Sequence, residues 1–155
     1  MTYRITGLSQ HSFANLIGAN DDTLAQYGAM RVVAGADKGW PCRISLVDAK
    51  AGETMILVNH VSHDVATPYR SAYAIYLRER IAEPAEYVNQ IPPVFEGRPM
   101  AFRAFDADGM LRNAALAMPG EAETKILALF ESSEIAYIHA HNAAHGCFAA
   151  TVERA

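Results

Sequence analysis

The chain has 155 residues, 51% of them apolar and 19% charged, with a formal charge of −4. That length suits one domain whose core needs no disulfide or metal staple, and the apolar fraction excludes a disordered chain. The 13 Lys and Arg are scattered without a basic block, so no electrostatic footprint for nucleic acid is present.

Residues 3–8 have the pattern of a first strand. Thr23 and Gln26 have capping-box spacing ahead of Tyr27, which predicts a short helix over 22–28. Residues 30–34 read as extended, and Gly35-Ala36-Asp37-Lys38-Gly39-Trp40-Pro41 as a loop. Residues 42–47 then read as a strand, turned by Ala51-Gly52 onto a partner over 54–60. Met55-Ile56-Leu57-Val58 has the continuous apolar run of a strand buried on both faces. Another strand is predicted over 71–78.

Four prolines fall between 83 and 99, and a short helix after Pro84 must end before Pro92. The clearest hairpin joins 100–105 to 110–117 through Asp106-Ala107-Asp108-Gly109. That cluster begins like a calcium loop, but its Gly comes two positions early and its twelfth position is Ala117, so it reads as a turn. The clearest helix spans 119–132, with Glu121 and Lys125 as an i,i+4 pair and Ala122, Ile126, Leu129 and Phe130 on one face. Residues 134–141 and 147–153 close the chain as two strands. The expected fold class is α+β: mainly antiparallel sheet of about eight strands, open or barrel-like, with one clear helix and one or two short ones, in a single domain over 1–155.

No apolar run approaches the roughly 18 residues of a spanning helix, and Met1-Thr2-Tyr3-Arg4 starts no leader pattern. A cytoplasmic protein without membrane contact is expected. Cys42 and Cys147 have neither CxxC spacing nor the density of a disulfide scaffold, so both are expected as free thiols.

The order of several short motifs resembles the bacterial family known as domain of unknown function 1203. The matching pieces are Pro41-Cys42-Arg43-Ile44-Ser45-Leu46, Ala51-Gly52-Glu53, Thr67-Pro68-Tyr69-Arg70, His139-Ala140-His141-Asn142-Ala143 and Gly146-Cys147-Phe148. Each is short, and their combined order carries the resemblance, from about residue 3 to residue 154. It implies a compact stand-alone bacterial protein of one domain, and it brings no activity, cofactor or catalytic residue.

Chemistry is concentrated in the histidines and arginines. Residues two apart on a strand share a face, so His139 and His141 project together beside Tyr137. Asn59-His60-Val61-Ser62-His63-Asp64 ends another predicted strand, where sites are commonly built. Imidazoles at HxH spacing can share a metal, and His139, His141 and His60 are the residues that would do so. No full metal motif is present, so none is assigned, nor is any cofactor. Arg43, Arg70 and Arg78 can hold a carboxylate or phosphate with Tyr and Asn donors, or pair with Glu53, Asp64 or Glu79 on the surface. Cys147 follows His145 and Gly146, and Cys42 adjoins Arg43, but a buried, inert Cys is the commoner outcome.

The expected function is therefore a small anionic-ligand-binding or catalytic pocket on an antiparallel sheet. Its walls would be Arg43, His60, His63, Tyr69, Arg70, His139, His141 and Asn142, with a His as general base if it is an enzyme. The alternative is a non-catalytic interaction module acting as a homodimer through an exposed edge or the aromatics Trp40, Tyr73 and Tyr76.

Overall fold

The computed structural model describes residues 1–80 and 83–155. Among them the strands are β1 (Tyr3–Thr6), β2 (Met30–Val33), β3 (Thr54–His63), β4 (Ser71–Arg78), β5 (Glu86–Val88), β6 (Met100–Phe105), β7 (Leu111–Ala117), β8 (Tyr137–Asn142) and β9 (Phe148–Arg154). The helices are α1 (Asp21–Gln26) and α2 (Ala122–Phe130), with 3-10 turns at Gln10–Phe13 and Pro93–Phe95. The fold is α+β, and every strand pairing is antiparallel. One sheet has six strands in the order β5-β1-β9-β8-β6-β7, and the other has three in the order β2-β3-β4. Both end on edge strands rather than closing into a barrel.

Local chemistry accounts for most of these elements. In α2 the buried residues are Ala122, Ile126, Leu129 and Phe130, the stripe that a 3.6-residue period predicts. The β6–β7 hairpin turns because Asp106 Oδ1 accepts from the N–H groups of Asp108 and Met110, at 2.9 and 3.0 Å, while Gly109 takes φ +82°. A central strand, β8 lies between β9 and β6 and is buried from Ile138 to Asn142. Ile138 and Ala140 join a first core with Phe102, Val152 and the buried face of α2. Alternation sends Tyr137, His139 and His141 to the opposite face, where His63 of β3 meets them. A second core lies around the smaller sheet and includes Phe13, Leu24, Ile44, Met55, Ile56 and Leu77.

The structure corrects three expectations. Residues 42–47 are a turn and not a strand. Leu46 N–H bonds the Cys42 carbonyl at 3.0 Å, Cys42 N–H bonds Val47 O at 3.0 Å, and Leu46 sits at φ +54°. With these backbone groups satisfied locally, only isolated bridges remain, from Pro41 to Asp48 and from Cys42 to Tyr76. The neighbours of β3 are instead β2 and β4. The first helix is capped by Asn20, whose Oδ1 accepts from Thr23 N–H at 2.8 Å, so Thr23 lies inside the first turn. After Pro84 the chain forms β5 rather than a helix, because β1 offers it an edge to pair with.

The 42–47 turn is held in place by a close approach. Gly7 lies where an added Cβ would come within 2.0 Å of Ile44 O, so no larger residue fits there. Gly7 N–H bonds Ala85 O at 2.9 Å, Ala85 N–H bonds Ile44 O at 2.9 Å, and Leu8 N–H bonds Arg43 O at 2.8 Å. Arg43 N–H bonds Tyr76 O of β4 at 3.0 Å. Arg43 is thus fixed by backbone bonds to β4 and to the segment following β1.

Candidate functional site

Arg43 is the largest fully buried side chain among the described residues, 1% exposed. Its Nη2 donates to Cys147 Sγ at 3.2 Å. Its Nε and Nη1 have no hydrogen-bond partner among the described residues. Burial pushes the guanidinium below its ordinary value. The Cys147 sulfur opposes this through its charge and the hydrogen bond, Arg98 adds to it, and Cys42 opposes it weakly. Guanidinium groups do not deprotonate in proteins, so Arg43 is a buried cation with a sulfur as its one hydrogen-bonded side-chain neighbour.

Cys147 reaches this position through the tight β8–β9 connection. Gly146, at φ +78°, donates its N–H to Asn142 O at 2.8 Å, and Asn142 N–H bonds Cys147 O at 3.0 Å. His141 pins the same turn, its Nδ1 lying 2.9 Å from Gly146 O. The register shifts between Ala140 and His141, a bulge of the kind that re-aims side chains beside sites. Asn142 Nδ2 donates to Cys147 Sγ at 3.6 Å, while Asn142 Oδ1 is buried and has no partner among the described residues. The sulfur therefore faces two donors.

Arg43, Asn142 and Cys147 line a cavity of about 560 Å³, with Tyr73, Arg98 and His145 also in its wall. Among its described lining residues are two Arg, one His and one Cys, but no carboxylate. Arg98 is tied down from outside the lining, donating to Asp48 Oδ1 and to Val94 O, each at 2.8 Å. Tyr73 OH accepts from Arg103 Nη1 at 3.1 Å. Arg43 forms the buried floor, Cys147 is half-buried, and His145 is exposed at the mouth. A wider hollow of about 760 Å³ lies elsewhere, beside Glu53 and Arg78, where those two side chains already pair at 2.7 Å.

Behind the cavity the imidazoles form an aromatic layer. The rings of His63 and His139 lie 5.0 Å apart, and those of His139 and His141 lie 6.5 Å apart. Phe105 lies 4.1 Å from His63, Phe148 lies 5.0 Å from His139, and Tyr73 lies 5.0 Å from His141. Burial first, then the nearby His63, His141 and Arg103, push His139 down to about 3. Burial also pushes His141 down to about 4, against the raising effect of the Gly146 carbonyl. Both are neutral at pH 7, and the carbonyl facing His141 Nδ1 requires the proton on that nitrogen. Both nitrogens of His63 are engaged, Nδ1 with Tyr69 O at 2.8 Å and Nε2 with Tyr137 OH at 2.7 Å.

Of the eight residues predicted to form one pocket, Arg43 and Asn142 line the cavity. His141 sits directly behind it against Tyr73, with His139 and His63 in the layer beyond. Tyr69 contributes its carbonyl to His63. Arg70 lies apart on the surface, where its Nε pairs with Asp64 Oδ1 at 3.0 Å. His60 also lies apart, its ring 5.1 Å from Phe13 of the second core, and burial pushes it below its ordinary value. In the sheet His60 lies opposite Tyr73 and His63 opposite Ser71, with a bulge between Val61 and His63. Among the described residues no three His, Cys, Asp or Glu side chains are gathered to hold a metal ion.

Among the cavity residues that sequence reasoning left out of its pocket are Tyr73, Arg98, His145 and Cys147. The available signal was His145-Gly146-Cys147 directly after the HxH strand. Cys42 is buried, and its Sγ accepts from Arg78 N–H at 3.3 Å.

A family model described as "Protein of unknown function (DUF1203)" matches residues 39–154, a span that contains Arg43, Asn142 and Cys147. No curated protein and no solved structure matches the chain.

Proposed function

Since the chain belongs to the DUF1203 family, a grouping that assigns no activity, we propose from geometry alone that it takes a small anionic ligand in the cavity above Arg43. The observation that carries this reading is the buried guanidinium with two unpaired nitrogens, in a cavity whose described lining holds no carboxylate. A desolvated cation without a counterion is costly, and an anion entering the cavity recovers part of that cost. The apolar walls, including Leu57 and Ile75, keep the local dielectric low and strengthen the attraction. Arg98, Asn142 and His145 supply donors nearer the mouth. Neutral His139 and His141 support the wall without competing for the anion.

Isothermal titration calorimetry at constant ionic strength tests this with phosphate, sulfate and acetate, using acetamide as the neutral control. At least one anion is expected to bind with a Kd of roughly 10 µM to 1 mM, acetamide is expected not to bind, and Arg43→Met is expected to abolish binding. No heat from any anion, or binding that survives in the variant, would remove the reading. The reading places the protein in a reducing cytoplasm, where Cys147 stays unoxidised.

A second reading, a homodimer joined at a strand edge, is favoured by one observation. The edge strand β2 leaves Met30 57% and Val33 59% exposed. Gel filtration at about 10 and 100 µM tests it, these being concentrations at which a micromolar dimer is populated. A dimer that Met30→Glu dissociates supports it, and a monomer at both concentrations removes it.

A further inference from the structure

We infer that Cys147 is the nucleophile of this cavity, and that its substrate is a small electrophile that itself carries a carboxylate or comparable anion. The inference rests on the anion-binding reading and deepens it. Three features of the site support it.

The first is the company that the sulfur keeps. Arg43 Nη2 at 3.2 Å and Asn142 Nδ2 at 3.6 Å both donate to Sγ. Both contacts hold the sulfur as the acceptor of donors that the fold fixes in place. A cation in contact with a half-buried sulfur is the arrangement that makes cysteines reactive. Cys42 provides the internal contrast, being fully buried in the second core and away from the cavity lining.

The second is the unsatisfied floor. Arg43 is 99% buried by its 1% exposure, and its Nε and Nη1 lack partners among the described residues, as does Asn142 Oδ1. Arg43 Nη2 donates to Cys147 Sγ, and both side chains line the same cavity.

The third is charge balance during reaction. When the sulfur lone pair forms an S–C bond, the leaving group departs with the electrons of the broken bond, the thiol proton passes to solvent, and sulfur becomes a neutral thioether. Arg43 remains a buried cation with no counter-charge in the described lining. A substrate that brings its own anion supplies that charge within the same cavity, whereas a neutral substrate leaves the buried cation alone. This is why the substrate class is an anionic electrophile. Exposed His145 at the mouth is placed to exchange protons with solvent as the leaving group departs.

The test compares iodoacetate with iodoacetamide on the reduced full-length protein near pH 6.5, with labelled sites located by peptide mass mapping. Each reagent forms an S–C bond and expels iodide, and they differ in the carboxylate. Cys147 is expected to react about tenfold or more faster than free cysteine at that pH, and Cys42 to remain unlabelled. Iodoacetate is expected to outpace iodoacetamide at Cys147 by about fivefold or more. Labelling of Cys147 no faster than free cysteine would overturn the nucleophile, and the calorimetric titration would still judge the anion reading separately. Fast labelling at equal rates by both reagents would overturn the anionic substrate class. The comparison is made on the wild-type chain, so it does not depend on a variant folding.

Discussion

Replacing Arg43 by methionine is expected to stabilise the fold while removing its anion binding and slowing alkylation of Cys147. The side chain lies in the turn between two cores, 1% exposed, and only one of its three guanidinium nitrogens has a partner among the described residues. Burying a charge costs several kcal/mol unless hydrogen bonds and a counter-charge offset it, and replacing such a group with an apolar side chain of similar length is often stabilising. Methionine can follow the same path and adapt to the space left by the planar group. The lost bond to Cys147 is worth about 1 kcal/mol, less than the desolvation relieved. The expected gain is about 1–3 kcal/mol in unfolding free energy, read from urea denaturation with an unchanged m-value. A loss of more than about 1 kcal/mol would instead make Arg43 a structural residue, since groups kept for function are the ones whose removal stabilises.

The segments readable from sequence were those whose conformation is decided within about ten residues. The Ala122/Ile126/Leu129/Phe130 stripe fixes a helix face by itself. The Asp106–Gly109 cluster satisfies its own backbone through Asp106 Oδ1. The 42–47 segment failed because its alternation fits a strand, and nothing local announces a Leu at φ +54° or a carbonyl spent on Leu46 N–H. That conformation is imposed from outside, by the contact of Ile44 O with Gly7 and by the bond from Leu8 N–H to Arg43 O. Tertiary contacts override local pattern at such places.

The site divides along the same line. HxH spacing was enough to put His139 and His141 on one face, but whether that face met water or protein depended on β3 and β4, which deliver His63 and Tyr73 to it. The surface pairs Arg70–Asp64 and Arg78–Glu53, 6 and 25 positions apart, were among the alternatives that charge and proximity allow. The Arg43–Cys147 contact joins residues 104 positions apart. No periodicity or motif encodes that distance. It exists because the 42–47 turn bonds β4 through Arg43 N–H, the β8–β9 turn bonds Pro99 O through Ala143 N–H, and both open on one cavity.

Acid is expected to unfold the protein in a window set by His139 and His141. In the unfolded chain both imidazoles titrate near pH 6.5, while in the fold they lie at about 3 and about 4. Between these values the unfolded chain binds protons that the fold refuses. Stability is therefore full above about pH 6.5 and falls as pH drops, at about 1.4 kcal/mol per pH unit for each imidazole. From pH 6 to pH 4 the two together remove on the order of 4 kcal/mol, a large share of the 5–15 kcal/mol typical of a domain. Carboxylates held low by their partners, such as Asp106 under the Met110 N–H and Arg112, add their loss only at lower pH. Urea midpoints measured at intervals across this range should slope steeply in the wild type, and His139→Gln or His141→Gln should each remove about half of the slope. A flat wild-type profile would mean that the fold accepts these protons. Because His141 Nδ1–H holds the Gly146 carbonyl, protonating its other nitrogen places a charge behind Tyr73 and beside Arg43. The turn that presents Cys147 then loosens with the imidazole layer, so in the folded protein the preference of Cys147 for iodoacetate should hold until pH nears about 4, where His141 takes its proton.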